Sequence, residues 1–147
     1  MKKILNDQAF TLIEIMLVLQ IIAILSTVVI ASFRPMIREL QNERFIAQLI
    51  EDIYYAQQFS LANGDITHVT FLPNKYTYDV ATSTKLIYSR SYDKHIEIAS
   101  NTLSINDLRF LTNGNAYKSG TISIYIDGHP YFLRILLGKG RFYVEKV

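Results

Sequence analysis

The chain has no cysteine, and only three prolines and six glycines in 147 residues. Without cysteine there is no disulfide and no thiolate metal site, and the redox compartment leaves no mark. All six glycines lie at or beyond Gly64, so none interrupts the stretch ahead of it. Charge is scarce in one place above all. Phe10 to Phe33, about twenty-four residues, contains a single ionisable side chain, Glu14. The net charge of +2 does not by itself indicate a nucleic-acid or acidic partner.

What is present in that stretch is apolar. As a helix it would reach roughly 36 Å, against about 30 Å for the hydrocarbon layer of a bilayer. An acid inside such a span is costly and calls for a reason. Lys2 and Lys3 precede the run with Asp7 as the intervening acid, and this basic start favours a cytoplasmic N-terminus, with the rest of the chain across the membrane. An ordinary secretory signal has a shorter apolar core followed by a small-residue cleavage site. Here the small residue, Ala9, comes before the run, which reads as a retained anchor.

Arg34-Pro35 closes the run, and the proline predicts a kink or short break there. Helical spacing then resumes. Ile37, Leu40, Ile46, Leu49, Ile50, Ile53, Ala56, Gln57 and Ser60 mark one face, while Arg38, Glu39, Glu43, Arg44, Glu51 and Asp52 crowd the other. Asn63-Gly64 is a stop signal, because glycine accepts the left-handed cap conformation. The reading is one helix from about residue 10 to 62. Beyond Gly64 the texture turns to period-two alternation of β-branched and aromatic residues. Candidate strands are 66–71, 76–80, 86–91, 95–99, 108–111, 121–126, 131–137 and 141–147. Together they predict an α+β fold: a transmembrane helix over 10–33, an amphipathic helix over 34–64, and, over 65–147, an antiparallel meander of five to seven strands packed on that helix. The change of texture near Gly64 separates two parts of one folding unit.

Cleavage after Ala9 would leave a free amine on Phe10, which titrates near pH 8 and is mostly cationic at neutral pH. Glu14 lies about one turn further along. In an assembly of staggered helices, Glu14 could meet the Phe10 amine of a neighbouring subunit. A buried pair of this kind adds little net stability but penalises wrong registers, which suits a subunit entering a helical polymer at a fixed axial offset.

The stretch Ala9-Phe-Thr-Leu-Ile-Glu14-Ile-Met-Leu-Val-Leu resembles the N-terminal signature of type IV pilins and pseudopilins. The resemblance implies a leader, residues 1–9, removed by a prepilin peptidase that cuts between Ala9 and Phe10 and N-methylates Phe10. It makes Glu14 the assembly carboxylate. It implies partners: other pseudopilins through the N-terminal helix, the peptidase, the membrane and a pilus assembly platform. Ala9 stands where the family usually has glycine, and the family's common proline within the span is absent. The ending, Tyr131-Phe-Leu-Arg-Ile-Leu-Leu-Gly138-Lys-Gly-Arg141-Phe-Tyr-Val-Glu-Lys-Val, is similar to the tails of minor pseudopilins of Gram-positive competence systems, and a related turn occurs in the H-type minor pseudopilins of type II secretion. That narrower likeness implies a subunit of a cell-surface competence pilus taking part in DNA uptake during transformation, with its globular part outside the cell.

Other readings stay open. Arg134, Lys139, Arg141 and Lys146 lie among Tyr131, Phe132, Phe142 and Tyr143, and aromatics interleaved with cations can stack bases and neutralise phosphates. A DNA-binding minor pilin is therefore one alternative, a pseudopilin of a secretion or type IV pilus system a second, and an unprocessed single-pass protein a third. Gly138-Lys-Gly140-Arg141 lacks the strand-loop-helix setting of a nucleotide loop and reads as a tight turn. His68, His95 and His129 are too dispersed to suggest a metal site. No catalytic constellation stands out, so neither an enzyme nor a cofactor is expected.

Overall fold

The computed structural model describes residues 11–138 and 140–147. Its first element is α1, Leu12–Asn63. Pro35 sits inside this helix, so of the expected kink or short break the break is not there, and the helix runs on as the one expected from about residue 10 to 62. A proline removes its own N–H and crowds the carbonyl four residues back, and a long helix can absorb both when the flanking turns keep their bonds. The C-terminal stop falls where Asn63-Gly64 placed it. Gly64 adopts φ 66° and donates its N–H to the Ser60 carbonyl at 3.0 Å.

Eight strands follow: β1 Thr67–Leu72, β2 Thr77–Thr82, β3 Leu86–Ser91, β4 Ile96–Ser100, β5 Leu108–Phe110, β6 Gly120–Ile126, β7 His129–Ile135 and β8 Phe142–Lys146. Each falls on one of the sequence candidates. Their arrangement differs from a single meander of five to seven strands, because they form two four-stranded sheets, ordered β3-β2-β1-β5 and β4-β6-β7-β8. All pairings are antiparallel. The first sheet departs from a meander where β5 returns to pair with β1, Thr67 opposite Phe110. The β1–β2 connection is a short 3-10 turn over Pro73–Lys75, left through Tyr76 at φ 53°.

The chain divides into two compact units, one ending at Gln41 and the other Asn42–Val147. The second unit thus takes in the rear of α1 together with both sheets. Alternation explains its core. β1 is buried at every other residue, Thr67, Val69 and Phe71, because successive strand side chains face opposite ways. Of these, Val69 and Phe71 join Tyr78 and Val80 of β2, Ile122 and Ile124 of β6, and Leu133 and Ile135 of β7 in one cluster with Leu49, Ile53 and Ala56 of α1. Ala56, Gln57 and Ser60 of the expected helical stripe are likewise buried.

In the first unit the pattern is the opposite. From Leu12 to Leu40 the large apolar side chains are exposed, Leu12 at 80% and Leu25 at 60%. This part of α1 is long and apolar enough to cross a membrane, and its hydropathic window is not buried among the described residues. A soluble helix hides such a surface on its own fold; here it has to be covered by lipid or by other helices.

Candidate functional site

The head of α1 carries the first candidate residues. Thr11 precedes the helix, and its carbonyl accepts from the N–H groups of Glu14 at 3.1 Å and Ile15 at 3.2 Å. The Thr11 hydroxyl lies 3.4 Å from the Glu14 N–H, a long N-cap contact. Glu14 is therefore fixed in the first helical turn with its side chain exposed. A carboxylate there is favoured by the helix dipole, and it is the one ionisable group among the apolar side chains that follow. Ala9 and Phe10, the expected cleavage-site pair, lie outside the described residues.

Of the C-terminal basic residues, Arg134 and Lys146 lie on opposite sides of the β7–β8 ladder. Arg134 lies on the outward side of β7, since its neighbours Leu133 and Ile135 are buried. Its Nε donates to Glu145 of β8 at 2.9 Å, and its guanidinium lies 5.7 Å from the Phe132 ring centre. Lys146 has the strand parity of buried Phe142 and lies 5.6 Å from the Tyr131 ring, so it sits on the other side of the ladder from Arg134. Arg141 precedes β8 and is exposed, with no ion pair among the described residues. Tyr143, opposite Arg134 in the ladder, is exposed as well. Lys139 is outside the described residues.

Two polar locks escape a reading of the sequence. The first surrounds Asp52, which pattern alone puts on the solvated side of α1 but which is 3% exposed. Its carboxylate accepts from the Tyr78 hydroxyl at 2.6 Å, the Tyr88 hydroxyl at 3.0 Å, Arg90 Nε at 3.1 Å and Gln48 Nε2 at 3.1 Å. Burial, and then the hydrogen bond to Asp52, push both phenols well above the ordinary tyrosine value. The bond to Asp52 likewise raises Arg90. This is a satisfied carboxylate that pins α1 to β2 and β3. The available signal was Tyr78, Tyr88 and Arg90 at period two on adjacent strands. The second lock is the Gln57 amide, which donates to the Gly114 carbonyl at 2.9 Å. Gly140 packs against both, at φ 57°. A Cβ there would collide with the Gln57 amide and the Gly114 carbonyl, which gives the Gly-Lys-Gly turn a packing role inside the fold.

An apolar helix with a first-turn carboxylate, long and apolar enough to cross a membrane, continues into an antiparallel two-sheet unit, an α+β build. The chain is 28% identical over 145 residues to "Competence protein ComGD" of Bacillus subtilis (strain 168), covering 98% of this chain and 97% of that protein. This likeness over nearly the whole of both chains supports a competence pseudopilin of the ComGD type. No protein-family model and no solved structure matches the chain.

Proposed function

We propose that the chain is a minor pseudopilin, a structural subunit of a competence pilus that takes part in DNA uptake during transformation. The leader, residues 1–9, is removed between Ala9 and Phe10 by a prepilin peptidase, and the Phe10 amine is methylated. Residues 10–33 hold the subunit in the cell membrane, with the N-terminus cytoplasmic and the sheets outside, until an assembly platform feeds it into the pilus. Glu14 then takes the Phe10 amine of a neighbouring pseudopilin as its countercharge. The observation that carries this reading is Glu14 itself, held in the first turn of a helix whose apolar surface finds no cover within its own chain. The role is structural and needs no bound cofactor.

The test is Glu14→Ala. The variant is expected to insert in the membrane at wild-type levels yet to be lost from sheared pili, and transformation is expected to fall by orders of magnitude. Normal incorporation and DNA uptake would overturn the reading. A second reading, in which the same subunit also touches DNA, draws support from Arg141, exposed and unpaired among the described residues, close to exposed Tyr143.

A further inference from the structure

Glu14 is not the only polar group that the apolar segment must accommodate. Ser26, Thr27, Ser32 and Gln20 also lie within it. The three hydroxyls are satisfied inside the helix: Ser26 donates to the Ile22 carbonyl at 2.7 Å, Thr27 to Ala23 at 2.9 Å and Ser32 to Val28 at 3.0 Å. Gln20 differs. Its side chain is exposed, and it makes no hydrogen bond among the described residues. An amide carries two donors and an acceptor. In hydrocarbon there is no water to take them, and an unmade hydrogen bond there is expensive.

Depth decides what can relieve it. Gln20 lies six residues beyond Glu14, about 9 Å deeper along the axis at 1.5 Å per residue. That is too deep for a short amide to reach back to the headgroup region as a lysine would. The relief has to come from another span that presents a donor and an acceptor at the same depth. A second copy of this chain, inserted in the same direction, does so by construction, because its own Gln20 lies at that level. The amide is self-complementary, donor to acceptor in both directions, so two parallel helices at zero axial offset satisfy each other.

We infer that Gln20 is an interhelical contact residue through which two copies of this chain pair in parallel, without axial offset, in the membrane. The pair is distinct from the Glu14 contact, which joins staggered helices because it must reach the end of a neighbouring chain. It marks a membrane-resident state that precedes incorporation. It rests only on the span lying in the bilayer, and it stands or falls independently of Glu14.

The lack of native cysteine makes the test direct. Thr27 is seven residues from Gln20, about 20° away around the helix, whereas Val29 is about 180° away. The full-length chain carrying Thr27→Cys or Val29→Cys is oxidised in membranes and the disulfide-linked dimer is quantified. The Thr27→Cys protein is expected to cross-link at least several-fold more than the Val29→Cys protein. Adding Gln20→Leu to Thr27→Cys is expected to reduce the dimer by roughly three- to twentyfold, the range of one interhelical hydrogen bond, while Gln20→Asn keeps most of it. Leucine favours insertion, so a loss with Gln20→Leu cannot be a failure to enter the membrane. Equal cross-linking from both faces, no effect of Gln20→Leu, or a dimer that forms only when another pseudopilin is present would each overturn the inference.

Discussion

At the scale of single residues, the molecule uses two carboxylates in opposite ways. Asp52 has its partners within the chain, and the Glu14 carboxylate has none among the described residues. Tyr78 is 1% exposed, so its hydroxyl depends on Asp52 for an acceptor. Asp52→Asn is expected to destabilise the folded unit by about 2–3 kcal/mol, the worth of charge-assisted hydrogen bonds, as read by thermal unfolding of the detergent-solubilised chain. Arg90 is nearly half exposed and adds little to that sum. The sign of the pH effect follows from the phenols, which are held neutral in the fold. Their stabilising contribution is full below the unfolded tyrosine value of about 10 and declines as pH rises above it. An absorbance titration should show three of the ten tyrosines ionising late, Tyr92 through burial and, later still, the two phenols bonded to Asp52. Asp52→Asn should advance those two only in part, because burial is the larger cause of the shift. For DNA contact the residues in question are Lys139 and Arg141. Replacing both with alanine is expected to weaken retention on DNA at low salt while leaving pilus incorporation intact. Unchanged retention would dispose of that role.

At the scale of elements, local pattern and long-range pairing part company. All eight strands lie on segments that alternation marked, and the helix ends where Asn63-Gly64 says it should. What periodicity cannot state is which strands pair. The return of β5 to β1 brings Arg109 opposite His68, a contact specified by packing of both strands on the α1 core and by no short-range signal. Pro35 shows the limit from the other side, since of the kink or short break that a local rule predicted, the helix overrides the break. The turn ahead of β8 was legible as a turn, but its reason was not: Gly140 is required by Gln57 and Gly114, both remote in sequence. Gly140→Ala combines a positive φ with a collision, and is expected to cost about 2 kcal/mol or more. Gly128, a turn glycine with open space around it, also at positive φ, makes a useful comparison. Gly128→Ala should show backbone strain alone, so a cost for Gly140→Ala no greater than that would mean the Gln57 lock is not tight.

At the scale of the whole molecule, the chain has one part that hides its apolar surface and one part that cannot. Unit Asn42–Val147 closes its core within itself, while the apolar stretch Leu12–Leu40 leaves its side chains open. That asymmetry was readable from the sequence, because a run of apolar residues with a single acid needs no tertiary context to be recognised. The candidate site was less readable. Glu14 could be named from its isolation, but Asp52 looked like any other acid on a helix until the strands facing it were placed. The basic residues Arg134, Lys139, Arg141 and Lys146 are neighbours in sequence, which does not say which side of a strand each takes. Strand parity separates Arg134 from Lys146, and Arg134 is paired with Glu145.

The account turns on an N-terminus made by cutting, because only a chain beginning at Phe10 offers Glu14 of its neighbour a countercharge. Mass spectrometry of the protein recovered from sheared pili measures this directly. The expected N-terminal peptide starts at Phe10, carries one methyl group on its amine, and is accompanied by no peptide containing Met1–Ala9. A protein that functions in transformation with Met1–Ala9 still attached would contradict it.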